Sequence, residues 1–99
     1  KFDIERLKKI KELTGAALVL HGGSGSGEEN IRASVANGIN KINVGCDFMN
    51  ANRDATAKIL KDNPQINYFD LIHQVETDSV ELVRYYIRLA GSNGKARRK

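Results

Sequence analysis

Leu18-Val19-Leu20-His21-Gly22-Gly23-Ser24-Gly25 is the stretch from which the fold is read. An apolar run, long enough for a buried strand and too short for a helix, ends on a histidine and opens at once into a glycine-rich turn. Such a turn lets backbone N–H groups converge on an anion, and the helix expected after it would bring its positive end to the same point. A second strand with a polar end, Ile42-Asn43-Val44-Gly45-Cys46-Asp47, follows shortly after. Together they predict one site built from two neighbouring strand ends.

Outward from this stretch the chain alternates. Ala16 to Leu20 shows no polar alternation, as expected of a parallel strand covered on both faces. Before it, Phe2 to Thr14 places Phe2, Ile4, Leu7, Ile10 and Leu13 at near-helical spacing, with Asp3 as N-cap and Gly15 as the stop. After the turn, Ser26 and Glu29 stand at capping-box spacing, and a short helix through Val35 and Ala36 should stop at Gly38. Ile39 to Val44 reads as the second strand. Phe48 to Asp62 carries Phe48, Ala51, Ala55 and Ile59 on one face with Pro64 beyond its end, and Asp47 reads as its N-cap. Phe69 to Ala90 is the most regular segment: Ile72, Val75, Leu82, Val83, Tyr86, Ile87 and Ala90 recur at three and four, and Gly91 closes it.

Helix, strand, helix, strand, helix, helix is the order of an α/β protein with parallel strands and right-handed crossovers. Two parallel strands leave edges and apolar faces open, so further strands are expected from elsewhere in the polypeptide or from another chain. The first residue is Lys1 rather than methionine, which agrees with a chain cut from something longer.

The 99 residues make at most one domain, and the 40% apolar content is compatible with a packed core rather than with disorder. The net charge of +4 comes from Lys95, Arg97, Arg98 and Lys99, because the other 12 basic residues are matched by 12 acidic ones. The body is neutral and the tail basic, so nucleic acid is not expected as a partner. One cysteine excludes an intrachain disulfide, and no apolar run approaches bilayer length. The expected setting is soluble and cytoplasmic, without a membrane partner.

Each candidate residue has a plainer alternative. His21 at a strand end is a metal ligand, a catalytic acid or base, or a satisfied structural histidine. Gly22, Gly23, Ser24 and Gly25 form an anion loop or a tight turn; neither a Walker loop nor a dinucleotide fingerprint is present. Asn43 and Asp47 serve the site or supply turn and cap chemistry. Cys46 is a small buried residue or a thiol at a polar site, and His73 in the last helix reads as structural or exposed.

These residues resemble the class II, metal-dependent ketose-bisphosphate aldolases, which include fructose- and tagatose-bisphosphate aldolases. The likeness is carried by Leu18-Val19-Leu20-His21-Gly22-Gly23-Ser24-Gly25, by Gly38-Ile39-Asn40-Lys41-Ile42-Asn43-Val44-Gly45-Cys46-Asp47, and by Gly91-Ser92-Asn93-Gly94-Lys95-Ala96. Phe2-Asp3-Ile4-Glu5-Arg6-Leu7 is similar to the helix before strand seven. The resemblance implies a TIM (β/α)8 barrel of which residues 1–94 are the C-terminal portion, strands seven and eight with flanking helices, and residues 95–99 a basic tail. A whole barrel takes about 250 residues, with its phosphate site in the loops after strands seven and eight.

By the same resemblance, His21 is one of three histidine ligands of a catalytic zinc. Gly22, Gly23 and Ser24 hold the phosphate of dihydroxyacetone phosphate, and Asn43, Val44, Gly45 and Cys46 complete that pocket. Zinc would act as a Lewis acid that polarises the ketone and stabilises the enediolate. The activity implied is reversible cleavage of a ketose bisphosphate to dihydroxyacetone phosphate and an aldehyde, in carbohydrate metabolism, with a monovalent cation left open. The family usually has threonine or serine where Cys46 stands, so a hydroxyl donor becomes a weak thiol donor. The other zinc histidines and the proton-transferring acid fall outside this chain; no catalytic residue lies in it, and alone it is expected to be inactive. A homo-oligomer, or association with the rest of a barrel, is expected. The rival reading is a non-catalytic partner that binds sugar phosphate or stabilises an aldolase subunit.

Overall fold

The computed structural model describes residues 2–96. Its elements run α1 (Ile4–Thr14), β1 (Leu18–Leu20), α2 (Glu28–Ala36), β2 (Ile39–Ile42), α3 (Cys46–Asp62) and α4 (Tyr68–Leu89). The expected order is therefore observed, with strands shorter than the apolar runs that announced them. The basic tail expected at 95–99 lies outside the described residues from position 97 onward.

Local chemistry sets the helix ends. Asp3 caps α1 by accepting the Arg6 N–H at 3.0 Å, and Gly15, at φ +60°, ends it in the left-handed conformation with its N–H on the Lys11 carbonyl. Asn67 caps α4 in the same way through the Asp70 N–H, so the helix starts at Tyr68, one residue before the expected Phe69. Two expected caps fail. Gly27 precedes α2 with no side-chain cap, while the Ser26 hydroxyl donates back to the Gly22 carbonyl at 3.3 Å, so no capping box forms with Glu29. At α3 the N-cap is Gly45, which moves Cys46 and Asp47 into the first turn.

β1 and β2 form a two-stranded parallel sheet joined by α2, with Leu18 opposite Ile39, Val19 opposite Lys41 and Leu20 opposite Ile42. The register breaks between Leu18 and Val19, skipping Asn40. The Asn40 side chain fills the missing rung: its Oδ1 accepts the Leu18 N–H at 3.1 Å and the Lys11 ammonium at 2.8 Å. Lys11 also donates to the Ala16 carbonyl at 2.7 Å, so one lysine of α1 ties β2 to the segment that leads into β1.

α3 and α4 form an antiparallel hairpin, in which Asp47 meets Tyr86 and Asn52 meets Ser79. A cleft of about 410 Å³ separates β2 from α4, lined among others by Val35, Ile39, Ile42, Phe48, Leu82 and Ile87. Among the described residues only Ile31 and Leu89 are fully buried hydrophobics, whereas Phe69 is 82% and Leu13 74% exposed. The molecule is a slab of 58 × 39 × 17 Å with a radius of gyration of 17.3 Å, against about 13 Å for a compact domain of this length. A sheet and helix pair with this much open apolar surface needs a cover. Purified alone, the chain is expected to bind a hydrophobic dye and to self-associate in sedimentation velocity; a monodisperse, dye-silent monomer with a sharp thermal transition would contradict this.

Candidate functional site

Beyond their last assigned residues the two strands stay together. The Asn43 N–H donates to the Leu20 carbonyl at 2.9 Å, and the Gly23 N–H donates to the Asn43 carbonyl at 3.2 Å. The glycine turn therefore leaves β1 while still bonded to the end of β2. Gly23 is buried, and a Cβ there would lie 2.8 Å from Ile42 Cγ2 and 3.4 Å from the Asn43 carbonyl oxygen. Close approach, not a left-handed angle, demands glycine at this position. Gly22 is the complementary case, open to solvent but at φ +64°.

His21 continues the rung pattern and stands beside Asn43, whose Nδ2 lies 3.1 Å from His21 Nδ1. The orientation of that amide follows from the next contact. Lys41 Nζ, which can only donate, bonds Asn43 Oδ1, so Nδ2 must face the imidazole. His21 Nδ1 is then an acceptor, and the neutral ring carries its hydrogen on Nε2. Lys41 and Asn43 are two residues apart on β2 and its extension, and so share one face.

Ser24 reaches the other element of the site. Its Oγ accepts the Asp47 backbone N–H at 3.1 Å, satisfying one of the unpaired donors at the start of α3 from outside the helix. The helix end in contact with the glycine turn is thus that of α3; α2, expected in this role, begins only at Glu28 after a longer loop. Asp47 is not the cap expected of it. Its carboxylate accepts the Tyr86 hydroxyl from α4, a contact that, after burial, holds the Tyr86 phenol up to about 12. Gly45 and the exposed Cys46 form the junction of β2 with α3, and Val44 turns toward the cleft beside α4.

The expected residues are therefore brought together by direct bonds at His21, Gly23, Ser24 and Asn43, with Gly22, Val44, Gly45 and Cys46 adjacent along the chain. His73 is exposed on α4 and takes no part. Among the described residues no cluster of three His, Cys, Asp or Glu side chains is placed to hold a metal ion. Sequence reasoning missed Lys41 and Tyr86. The first was signalled by its two-residue offset from Asn43. The second was signalled by a hydroxyl on an apolar helix stripe, which needs a partner when half-buried.

The profile of the family described as fructose-bisphosphate aldolase class-II matches residues 1–95. The chain belongs to the class II aldolase family. It is 36% identical, over its whole length, to a 6-phospho-5-dehydro-2-deoxy-D-gluconate aldolase of Halalkalibacterium halodurans, of which it spans 35%. Its structure superposes on that of the YdjI aldolase of Escherichia coli K12 with a TM-score of 0.86 at 30% identity, covering 98% of this chain and 36% of that one. The α/β fold is thus an aldolase fold, and the chain spans about a third of the length of the relatives it matches.

Two measurements test the geometry. Gly23→Ala forces a methyl into Ile42 and is expected to cost about 1–3 kcal/mol by urea unfolding; an unchanged midpoint would contradict the close approach. Because the folded protein holds the Tyr86 phenol above its usual 10, folding favours the protonated form. The stability margin of the wild type over Tyr86→Phe should therefore be full below pH 10 and vanish as pH rises toward 12.

Proposed function

We propose that this chain is the phosphate-binding portion, strands seven and eight, of a class II aldolase barrel that reversibly cleaves a phosphorylated ketose to dihydroxyacetone phosphate and an aldehyde. The observation that carries the reading is the joining of the two strand ends: Gly23 bonded to Asn43, and Ser24 bonded to the first turn of α3. That arrangement puts a glycine turn and a helix N-terminus at one point, which suits a phosphate group. The Halalkalibacterium relative is named for a phosphorylated sugar acid, which supports a phosphorylated ketose in general over a bisphosphate in particular.

Backbone amides of Gly22 and Ser24 and of Val44 to Cys46 would take the phosphate oxygens, while the Gly23 N–H, committed to the Asn43 carbonyl, holds the turn in place. Cys46 is the first residue of α3, where its N–H has no intrahelical acceptor, so the backbone donor survives replacement of a hydroxyl by a thiol. A zinc ion fits this chain as a shared ligand set to which it contributes His21. The imidazole lone pair is on Nδ1, where the Asn43 amide now donates, so Asn43 would have to give way for the ring to bind a metal. When bound, zinc would supply Lewis-acid polarisation of the ketone. Holding the ring, orienting it and binding the phosphate are the tasks of this chain's own residues. Its open apolar faces fit association with the rest of a barrel, in one polypeptide or as an assembly, and a monovalent cation near the phosphate belongs to the same proposal.

The test is zinc-dependent cleavage of a phosphorylated ketose by the complete polypeptide carrying this sequence and by the 99-residue chain alone. Turnover is expected from the first and none from the second. His21→Ala should abolish turnover together with bound zinc, whereas Asn43→Ala, which frees the His21 Nδ1 lone pair, should not weaken zinc binding. Substantial turnover by the isolated chain would overturn the portion reading, and phosphate binding without turnover in the complete polypeptide would favour a non-catalytic partner.

A further inference from the structure

We propose that Tyr86 is a positioning residue for the phosphate turn: from α4 it holds the first turn of α3, and through Asp47 it fixes Ser24. The proposal rests on the phosphate-site reading above and adds a residue outside both site motifs. Two contacts carry it: Ser24 Oγ accepts the Asp47 N–H at 3.1 Å, and the Asp47 carboxylate accepts the Tyr86 hydroxyl. The three residues come from the turn after β1, from α3 and from α4, so the bonds tie three elements at one point.

The charge pattern explains why such a tie is needed. Asp47 places a carboxylate in the first turn of α3, where a phosphate dianion would approach. Like charges at that distance oppose binding. Tyr86 draws the carboxylate toward α4 and donates to it, so the α3 N–H groups keep their attraction for an anion while the competing charge is turned aside. The neighbouring tyrosine makes the contrast. Tyr85 reaches Glu28, in the first turn of α2, at 3.3 Å, and Glu28 already pairs with Arg32 at 2.8 Å. Glu28 shows no bond to the turn after β1, so the Tyr85 contact has no route to Ser24.

Tyr86→Phe and Tyr85→Phe are compared in the complete polypeptide, with inorganic phosphate as the titrated probe and a phosphorylated ketose as substrate. Tyr86→Phe is expected to raise both the phosphate Kd and the KM roughly three- to tenfold, as the partial loss of a bond to a charged group would, with kcat little changed. Tyr85→Phe should leave both constants near wild type. Adding Asp47→Asn to Tyr86→Phe should recover phosphate affinity, because the charge that Tyr86 restrains is gone. In the wild type, nuclear magnetic resonance signals of Ser24, Asp47 and Tyr86 should move together as phosphate is added, a readout that survives if Tyr86→Phe does not fold. A lower melting temperature with unchanged phosphate Kd, equal losses in the two phenylalanine variants, or a Tyr86 signal indifferent to phosphate would overturn the proposal. A wild type that binds no phosphate would remove the underlying site, and this shows before any variant is made.

Discussion

Parallel pairing of Leu18–Leu20 with Ile39–Ile42 is the constraint on which the other features depend. Antiparallel neighbours would present one strand's beginning beside the other's end. Parallel ones present two ends at the same level, and here the pairing runs on past the assigned strands through Asn43 and Gly23. Both polypeptide exits therefore leave from one edge: a glycine turn after β1, and the start of α3 after β2. The return through α2 is what allows the two strands to lie side by side in this sense.

Few of the stabilising contacts come from a core. Polar staples do much of the joining: Lys11 with Asn40 between α1 and the sheet, Asn52 with Ser79 and Asp47 with Tyr86 between α3 and α4. Ser79 is itself buried, and its one hydroxyl hydrogen is shared between Asn52 Oδ1 and the Val75 carbonyl. Such bonds fix direction better than they supply stability, since each nets only about 1 kcal/mol after exchange with water. They set where the elements stand, and the open apolar faces of β2, α3 and α4 then offer a defined surface to whatever covers them.

The helices were legible because their apolar residues recur at three and four, and α1 and α4 end where Gly15 and Gly91 stop them. Their starts were less so. Ser26 and Glu29 have capping-box spacing, but the tight turn at Gly22 gives the Ser26 hydroxyl a nearer acceptor. Asp47 has the composition of a cap and became a first-turn residue because Gly45 already makes the bend out of β2. The strand-end site was readable as motif: histidine, glycines, then asparagine on the next strand. Its wiring was not, since Tyr86 lies 39 residues from Asp47 and Asn43 lies 22 from His21, separations at which no periodicity operates.

The break in register at Asn40 has a further meaning. Side chains on a strand alternate between two faces, so one surplus residue exchanges inside for outside along everything that follows. Counted without a surplus from Leu18 and Ile39, the residue opposite His21 would be Ile42, and Asn43 would fall beside Gly22. With Asn40 set aside, His21 meets Asn43, and an amide rather than a hydrocarbon stands next to the imidazole. The polar character of the strand ends is thus a matter of odd and even, decided at the opposite end of the sheet by a side chain that replaces one backbone rung.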